Sequence, residues 1–437
     1  MKKFFTSIKN IFSIEELRDR IINTVGFLII FRLGSFVVLP GVNPKMVGEE
    51  FKGFMGMLDN FLGGAFSNYS IFGLGIMPYI SASIIIQLLT VAMPYFQKMQ
   101  KEGESGRKKI NQITRVLTIA ICMVQSTVYI SSIDAKAVLL GNQAVFTFTS
   151  MVILTAGTIF CMWLGEKITD KGIGNGISML IMIGIISRFP GSIIAEWMHR
   201  GELNGALIFI IEMVALFFVI MAVVALTQAV RKIPIQYAKQ VVGNKVYGGQ
   251  RQYLPMKVNS SGVMPIIFAQ SLMFVPGLLA GLFQESEFFQ SVGIQYQDYT
   301  TLAYNITLGL LIVVFTFFYT AITINPNQIA DDLKRNGGFV PGIKPGKPTS
   351  EFIDSILTKI TLPGSVFLAG VAIFPGIANK LGVEANFAQF YGGTSLLIMV
   401  GVVLDTLQQI ESYLLMRHYE GLMKSGKIKG RSQAAVA

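Results

Sequence analysis

The chain has 437 residues, 52% hydrophobic and 14% charged, with 36 Lys and Arg against 25 Asp and Glu. That much apolar side chain exceeds what one water-surrounded core can hide, which excludes a single soluble domain and makes lipid the main solvent. Cys122 and Cys161 both fall inside apolar runs, which excludes a disulfide framework and reads as buried thiols, while the formal charge of +11 acquires meaning only once the basic residues are placed.

A bilayer core about 30 Å thick takes roughly 20 helical residues to cross. Runs that meet this requirement lie at about 21–40, 73–93, 111–132, 147–165, 173–189, 206–230, 259–283, 303–325, 358–377 and 393–415, predicting ten spans. The first has no A-x-A cleavage signal and reads as a retained helix. With the N-terminus placed in the cytoplasm, 29 Lys and Arg fall in inner segments and 6 in outer loops, leaving Arg32 inside the first span. Basic residues accumulate on the cytoplasmic side, so both termini are expected there.

Between the first two spans, residues 51–72 have an apolar face but are too short and interrupted to cross, which by itself suggests an interfacial helix on the outer surface. The second span then empties into a strongly basic loop. Together GIMPYISASIIIQLLT at 75–90 and KEGESGRKK at 101–109 closely resemble the SecY family, the channel-forming subunit of the bacterial Sec protein translocase. FRLGSF at 31–36, NPNQIADDLKRNGGFVPGIKPGKPT at 325–349 and GGTSLL at 392–397 extend the resemblance over most of the chain.

The resemblance implies an all-α integral membrane protein with ten transmembrane helices in two inverted five-helix halves around a central pore. An internal echo agrees with inversion: Gly75-Ile76-Met77-Pro78 in the second span recurs as Gly262-Val263-Met264-Pro265 in the seventh, which runs the opposite way. The prolines are expected to leave slack in each helix. The expected organisation is a tail at 1–20, an N-terminal half at 21–190, a C-terminal half at 191–415 with cytoplasmic loops 231–258 and 325–357, and a tail at 416–437.

The site residues follow from the same resemblance. Residues 51–72 become a re-entrant plug, built from Phe54, Met55, Met57, Leu58, Phe61 and Leu62 with Gly63-Gly64 as a flexible exit. The pore ring falls on Ile76, Ile80, Ile177, Ile181, Ile267 and Ile398. From spacing alone these are ordinary core or lipid-facing isoleucines; as a ring they would exclude ions by dewetting and offer a passing chain no hydrogen bonds. The lateral gate falls on Ser81, Gln87, Gln125, Gln270, Ser271 and Val275, which otherwise read as simple interhelical hydrogen-bonding groups. Arg231, Lys232, Lys239, Lys245, Lys334, Arg335 and Lys344 are expected to dock a motor or ribosome, Lys344 standing where the family usually has Arg.

Catalytic readings fail on their residues. Gly103-Glu104-Ser105-Gly106 has the GxSG form of an intramembrane serine protease, yet His199 and His418 lie outside the predicted spans. Gly172–Gly176 lacks the spacing of a dinucleotide loop and reads as flexibility where a helix begins; GIKPGKP at 342–348 puts Pro348 where a phosphate loop needs Ser or Thr. No catalytic residue, cofactor or metal is therefore expected, and energy must come from a partner. The implied partners are SecE and SecG subunits, the SecA motor, the ribosome, signal sequences and unfolded polypeptides, and membrane lipid. The alternative is an inverted-repeat secondary transporter, which needs a charged or carbonyl-lined site at the midplane.

Overall fold

The computed structural model describes residues 14–43, 59, 62–131, 133, 138–139, 142–201, 203–237, 240–242, 245–247, 251–273, 276 and 287–424. The fold is helical and divides into two compact units. One comprises Met1–Phe51, Leu58–Arg188 and Gly401–Ala437, the other Lys52–Met57 and Phe189–Val400.

The first unit contains α1 (Glu15–Gly34), α2 (Met77–Ala92), α3 (Pro94–Lys101), α4 (Glu104–Ser131), α5 (Gln143–Lys171) and the first half of α6 (Gly176–His199). α2 lies on α4, α4 on α5, and α1 on α5. α1 begins and ends earlier than the apolar run suggests. After Gly34 the chain becomes extended, because the Leu39 amide donates to the Tyr69 carbonyl at 2.8 Å and the Ile71 amide to the Val37 carbonyl at 2.9 Å. α2 and α3 meet at a 99° bend, so the basic loop of the sequence is itself mostly helix. Gly106 lets α4 turn back closely on α3: a Cβ there would sit 1.7 Å from the Met99 carbonyl oxygen.

The second unit contains α7 (Leu203–Gln228), strands β1 (Val230–Tyr237), β2 (Gln240–Val242), β3 (Lys245–Tyr247) and β4 (Arg251–Lys257), and α8 (Met264–Met273), α9 (Glu287–Gln297), α10 (Leu302–Thr323) and α11 (Pro326–Arg335). β5 (Gly338–Phe339), α12 (Lys347–Lys380) and the short α13 (Ala385–Ala388) complete it; α14 (Gly393–Lys424) begins in this unit and joins the first at Gly401. α10 packs along α12 and against α8.

Seven described helices are long and apolar enough to cross a membrane, and eight counting the bent pair. α1 has spanning length but carries charge, and α8 is described for only ten residues. Helices therefore stand at all ten predicted spans. The prolines of the echoed motif do not loosen their helices. Pro78 and Pro265 each occupy the second position of their helix, where a missing N–H leaves no hydrogen bond broken, and Gly75 and Gly262 before them take left-handed φ of 50° and 64°. These are helix starts repeated in the two halves of the chain.

Candidate functional site

The segment from Leu62 to Ile76 is built from turns and is almost wholly buried. Irregular backbone among spanning helices is stable only when its polar groups find protein partners. Here they do. The Tyr129 hydroxyl donates to the Phe66 carbonyl at 3.0 Å, with the two rings edge to face, and Ser70 Oγ donates to the Ala65 carbonyl at 3.0 Å. Arg32, the charge inside the first predicted span, donates through Nη1 to the Gly63 carbonyl at 2.5 Å and lies over the Phe36 ring. From α6, Arg188 Nη2 pairs with Asp59 and donates to Ser67 Oγ at 2.9 Å, while the Ser67 amide donates to the other Asp59 carboxylate oxygen at 2.8 Å. Sequence reasoning named Gly63 and Gly64 but missed Asp59 and Arg188; a lone acid and a lone base 129 positions apart carry no local signal.

Of the expected plug residues, Leu62, Gly63 and Gly64 are buried, whereas Phe54, Met55, Met57, Leu58 and Phe61 lie outside the described residues. The glycine pair forms a closely docked turn, left-handed at φ 62° and 88°; a Cβ on Gly63 would come 2.7 Å from the Gly184 backbone of α6.

Within the first unit, Ile76 is part of a core with Phe31, Phe72, Cys161, Leu164, Ile168 and Leu180, and Ile80 and Ile177 pack against it half-buried. Ile181 is half-buried on α6. In the second unit Ile398 is buried and Ile267 half-buried. Both cysteines are free and buried. Of the expected gate residues, Ser81 and Ser271 bond back into their own helices, to the Met77 carbonyl at 3.2 Å and the Ile267 carbonyl at 2.9 Å. Gln87 and Gln125 are half-buried, Gln270 is buried with both amide atoms unpartnered, and Val275 lies outside the described residues.

The two long loops fold together. β1 and β4 form an antiparallel hairpin from Val230↔Lys257 to Gln236↔Arg251, and β5 pairs with β1 at Gln236↔Phe339. Alternation sets the faces: Ile233 and Ile235 point inward and join Met256, Leu333, Val340, Ile353 and Leu357 in a core beneath α11 and the start of α12. Pro234 is tolerated because β5 reaches only Gln236 and Tyr237, leaving β1 an edge strand at that point. The module presents Arg231, Lys232, Lys334, Arg335 and Lys344 to solvent. Lys344 sits between left-handed glycines, Gly342 and Gly346, with its carbonyl held by Thr349 Oγ1 at 2.9 Å. Lys239 lies outside the described residues, and of Lys245 only its place in β3 is described.

Gly172–Gly176, expected as a flexible turn, is tied down. Its amides donate to Thr24 Oγ1 at 3.0 Å, Gln409 Oε1 at 2.8 Å and Thr169 Oγ1 at 2.9 Å. A charged cluster not anticipated from the sequence includes Glu212, which lies in α7. It pairs with Arg200, whose Nε donates to Glu196 at 2.9 Å and whose Nη2 donates to the Gly382 carbonyl at 2.8 Å. The Arg200 guanidinium loses hydration on burial, but the two carboxylates outweigh that and hold it protonated. Tyr391, its hydroxyl buried nearby without a partner, is pushed up by burial and by Glu212 and Glu196. The Glu196/Arg200 spacing of four on one helix was the available sequence signal.

Comparison with known proteins completes the assignment of family. A family model described as SecY matches residues 70–407. The protein translocase subunit SecY of Mycobacterium tuberculosis is 40% identical over 97% of this chain and 100% of its own length, and that of Chlamydia muridarum 39% identical over 97% and 99%. The Streptomyces coelicolor subunit is 41% identical over 96% and 100%. Among solved structures, one described as the structure of a protein conducting channel superposes with a TM-score of 0.65 at 17% identity, covering 90% of this chain and 92% of the other. Sec61 in the canine ribosome-channel complex gives 0.61 at 16%, covering 90% and 92%. The fold is thus shared with protein-conducting channels, and with the near full-length sequence matches it follows that this chain belongs to the SecY family.

Proposed function

We propose that this chain is a protein-conducting channel, which moves unfolded polypeptides across the membrane and releases apolar segments sideways into lipid. The observation that carries the reading is the buried, non-helical Leu62–Ile76 segment set among spanning helices. A plug that must leave and return needs a turn-built connection docked on protein, and thirteen of the fifteen residues of this one are buried. In this reading Ile76, Ile80, Ile177, Ile181, Ile267 and Ile398 form the constriction, and Ser81, Gln87, Gln125, Gln270, Ser271 and Val275 line the lateral gate. The folded cytoplasmic module, with Lys344 at its tip, receives the SecA motor or the ribosome, the latter through phosphate contacts. SecE and SecG complete the assembly in the bacterial cytoplasmic membrane, with both termini in the cytoplasm as the 29-to-6 distribution of basic residues requires.

The test is reconstitution. Vesicles containing this chain with its small subunits, supplied with motor and ATP, should render an unfolded secretory precursor resistant to external protease. A folded, cross-linked precursor should remain accessible. Uptake of small solutes without precursor protection would overturn the reading in favour of a transporter.

A further inference from the structure

The sheet of β1, β4 and β5 has two edges, and the backbone pairing shows how each is finished. Among the described strands the order is β4-β1-β5, so β4 is an edge along its whole length, while β1 is covered on its other side only at Gln236 and Tyr237. An edge strand presents unpaired N–H and C=O groups, a template on which an extended chain can add as a further strand. In an antiparallel pair, hydrogen-bonded and non-hydrogen-bonded residue pairs alternate, and members of the second kind turn their backbone groups away from the partner strand. The Val258 amide donates to the Ala229 carbonyl at 2.9 Å, which makes these two a hydrogen-bonded pair. In the observed register Arg231↔Met256, Ile233↔Leu254 and Ile235↔Gln252 are then hydrogen-bonded too, and Lys232↔Pro255 and Pro234↔Tyr253 lie between them. Pro255 therefore stands where the free edge of β4 would present a donor, and Pro234 does the same on β1 just before β5 begins. Neither proline removes a bond from the existing ladder; each withholds one from an incoming strand, whose approach its ring also obstructs. The next outward residues are Lys232 and Lys257, and all four side chains are exposed. The core makes no demand for proline here, because the buried Ile233, Ile235 and Met256 point to the opposite face.

We propose that Pro234 and Pro255 close both edges of this sheet to strand addition, so that the module receives folded partners through its exposed side chains and refuses extended polypeptide. The inference deepens the channel reading and rests on it, since the cargo of such a channel arrives unfolded. An unfolded chain carries unpaired backbone groups at every residue, and strand addition draws its affinity from main-chain hydrogen bonds that do not depend on sequence. A bare edge would therefore hold all cargo alike and keep it from the pore. Exposed side chains discriminate poorly against chains of arbitrary sequence, whereas a missing backbone donor acts against every one of them. Lysine and proline are the residues with which natural sheets keep their edges unpaired, and here they occupy successive outward positions on both edges. The same closure fixes how a partner docks on this module: by contacts with side chains of the exposed face, and not by extending the sheet.

The experiment uses the full chain with its small subunits. The probe is a fluorophore-labelled peptide of alternating Thr and Val, set beside a second peptide with the same side chains and every backbone amide N-methylated, which cannot pair. Pro255→Val and Pro234→Val each restore one outward donor without touching the buried face, and a native trypsin pattern of the module verifies that each variant folds. Fluorescence anisotropy should show the plain peptide bound about tenfold more tightly by each variant than by the native chain, the gain expected of a restored backbone hydrogen bond and a removed obstruction. The methylated peptide should show no gain. In vesicles supplied with motor and ATP, export of an unfolded precursor should slow in both variants as precursor accumulates on the outside. Native affinity in a folded variant, or an equal gain for the methylated peptide, would overturn the closure of that edge. Tighter peptide binding with export unslowed would overturn its role in keeping cargo free. Native export in the same vesicles leaves the channel standing in either case, whereas absence of export by the native chain would remove the channel reading and leave the peptide result to decide whether the edges are closed.

Discussion

Arg200→Ala tests whether the buried charged cluster holds the second unit together. Glu196 is 0% exposed and the Glu212 side chain 9% exposed, and both accept from the one guanidinium. Glu196 also accepts from the Glu384 amide at 2.7 Å, and Glu384 in turn caps α13 by accepting from the Asn386 and Phe387 amides at 2.9 and 3.0 Å. Removing the guanidinium leaves two buried carboxylates without their shared partner, a change that costs about 3–5 kcal/mol. With each 1.4 kcal/mol worth about a factor of ten, local opening should become roughly 150- to 4,000-fold more frequent. Hydrogen exchange by mass spectrometry on nanodisc-embedded protein reads this directly in peptides spanning 382–391, provided exchange follows the opening equilibrium. Exchange within threefold of native at neutral pH would refute the reasoning and mark the cluster as dispensable.

Three further outcomes are expected. Ile80→Gly with Ile181→Gly should give an ion leak in planar bilayers, while glycine at Ile208 and Ile211, exposed at 41% and 58%, should leave conductance unchanged. Lys344→Glu should impair motor-dependent export more than folding, since the lysine side chain is exposed and only its carbonyl supports the loop; equal loss of both, measured by protease resistance of the module, would make the lysine structural. Ile353→Ala, on the face of α12 that packs against the sheet and with 0% exposure, should destabilise this strand-containing module by about 2–5 kcal/mol, seen as faster trypsin cleavage near Lys232 and Lys257 with cleavage at membrane-flanking sites unchanged.

What the sequence determined by itself is what depends on short-range pattern. Spanning length, apolar content and the placement of basic residues were enough to locate the helices, because each reflects a segment's own free energy in lipid. The Gly-x-Met-Pro echo was visible too, although its meaning was not: the prolines start helices instead of loosening them, which depends on where the preceding glycine turns left-handed. The two long basic loops read as turn-rich, and their strands escaped notice. Ile233 and Ile235 alternate over too few residues to signal a sheet, and their core is completed by Leu333, Ile353 and Leu357, residues far along the chain. Only the tertiary structure brought together Asp59 with Arg188, Arg32 with Gly63, and Glu212 with Arg200. A single charge in an apolar run announces that it needs a partner. Which partner it finds depends on how distant helices pack, because the cost of burying it is relieved only by a group that the fold carries to within hydrogen-bonding distance.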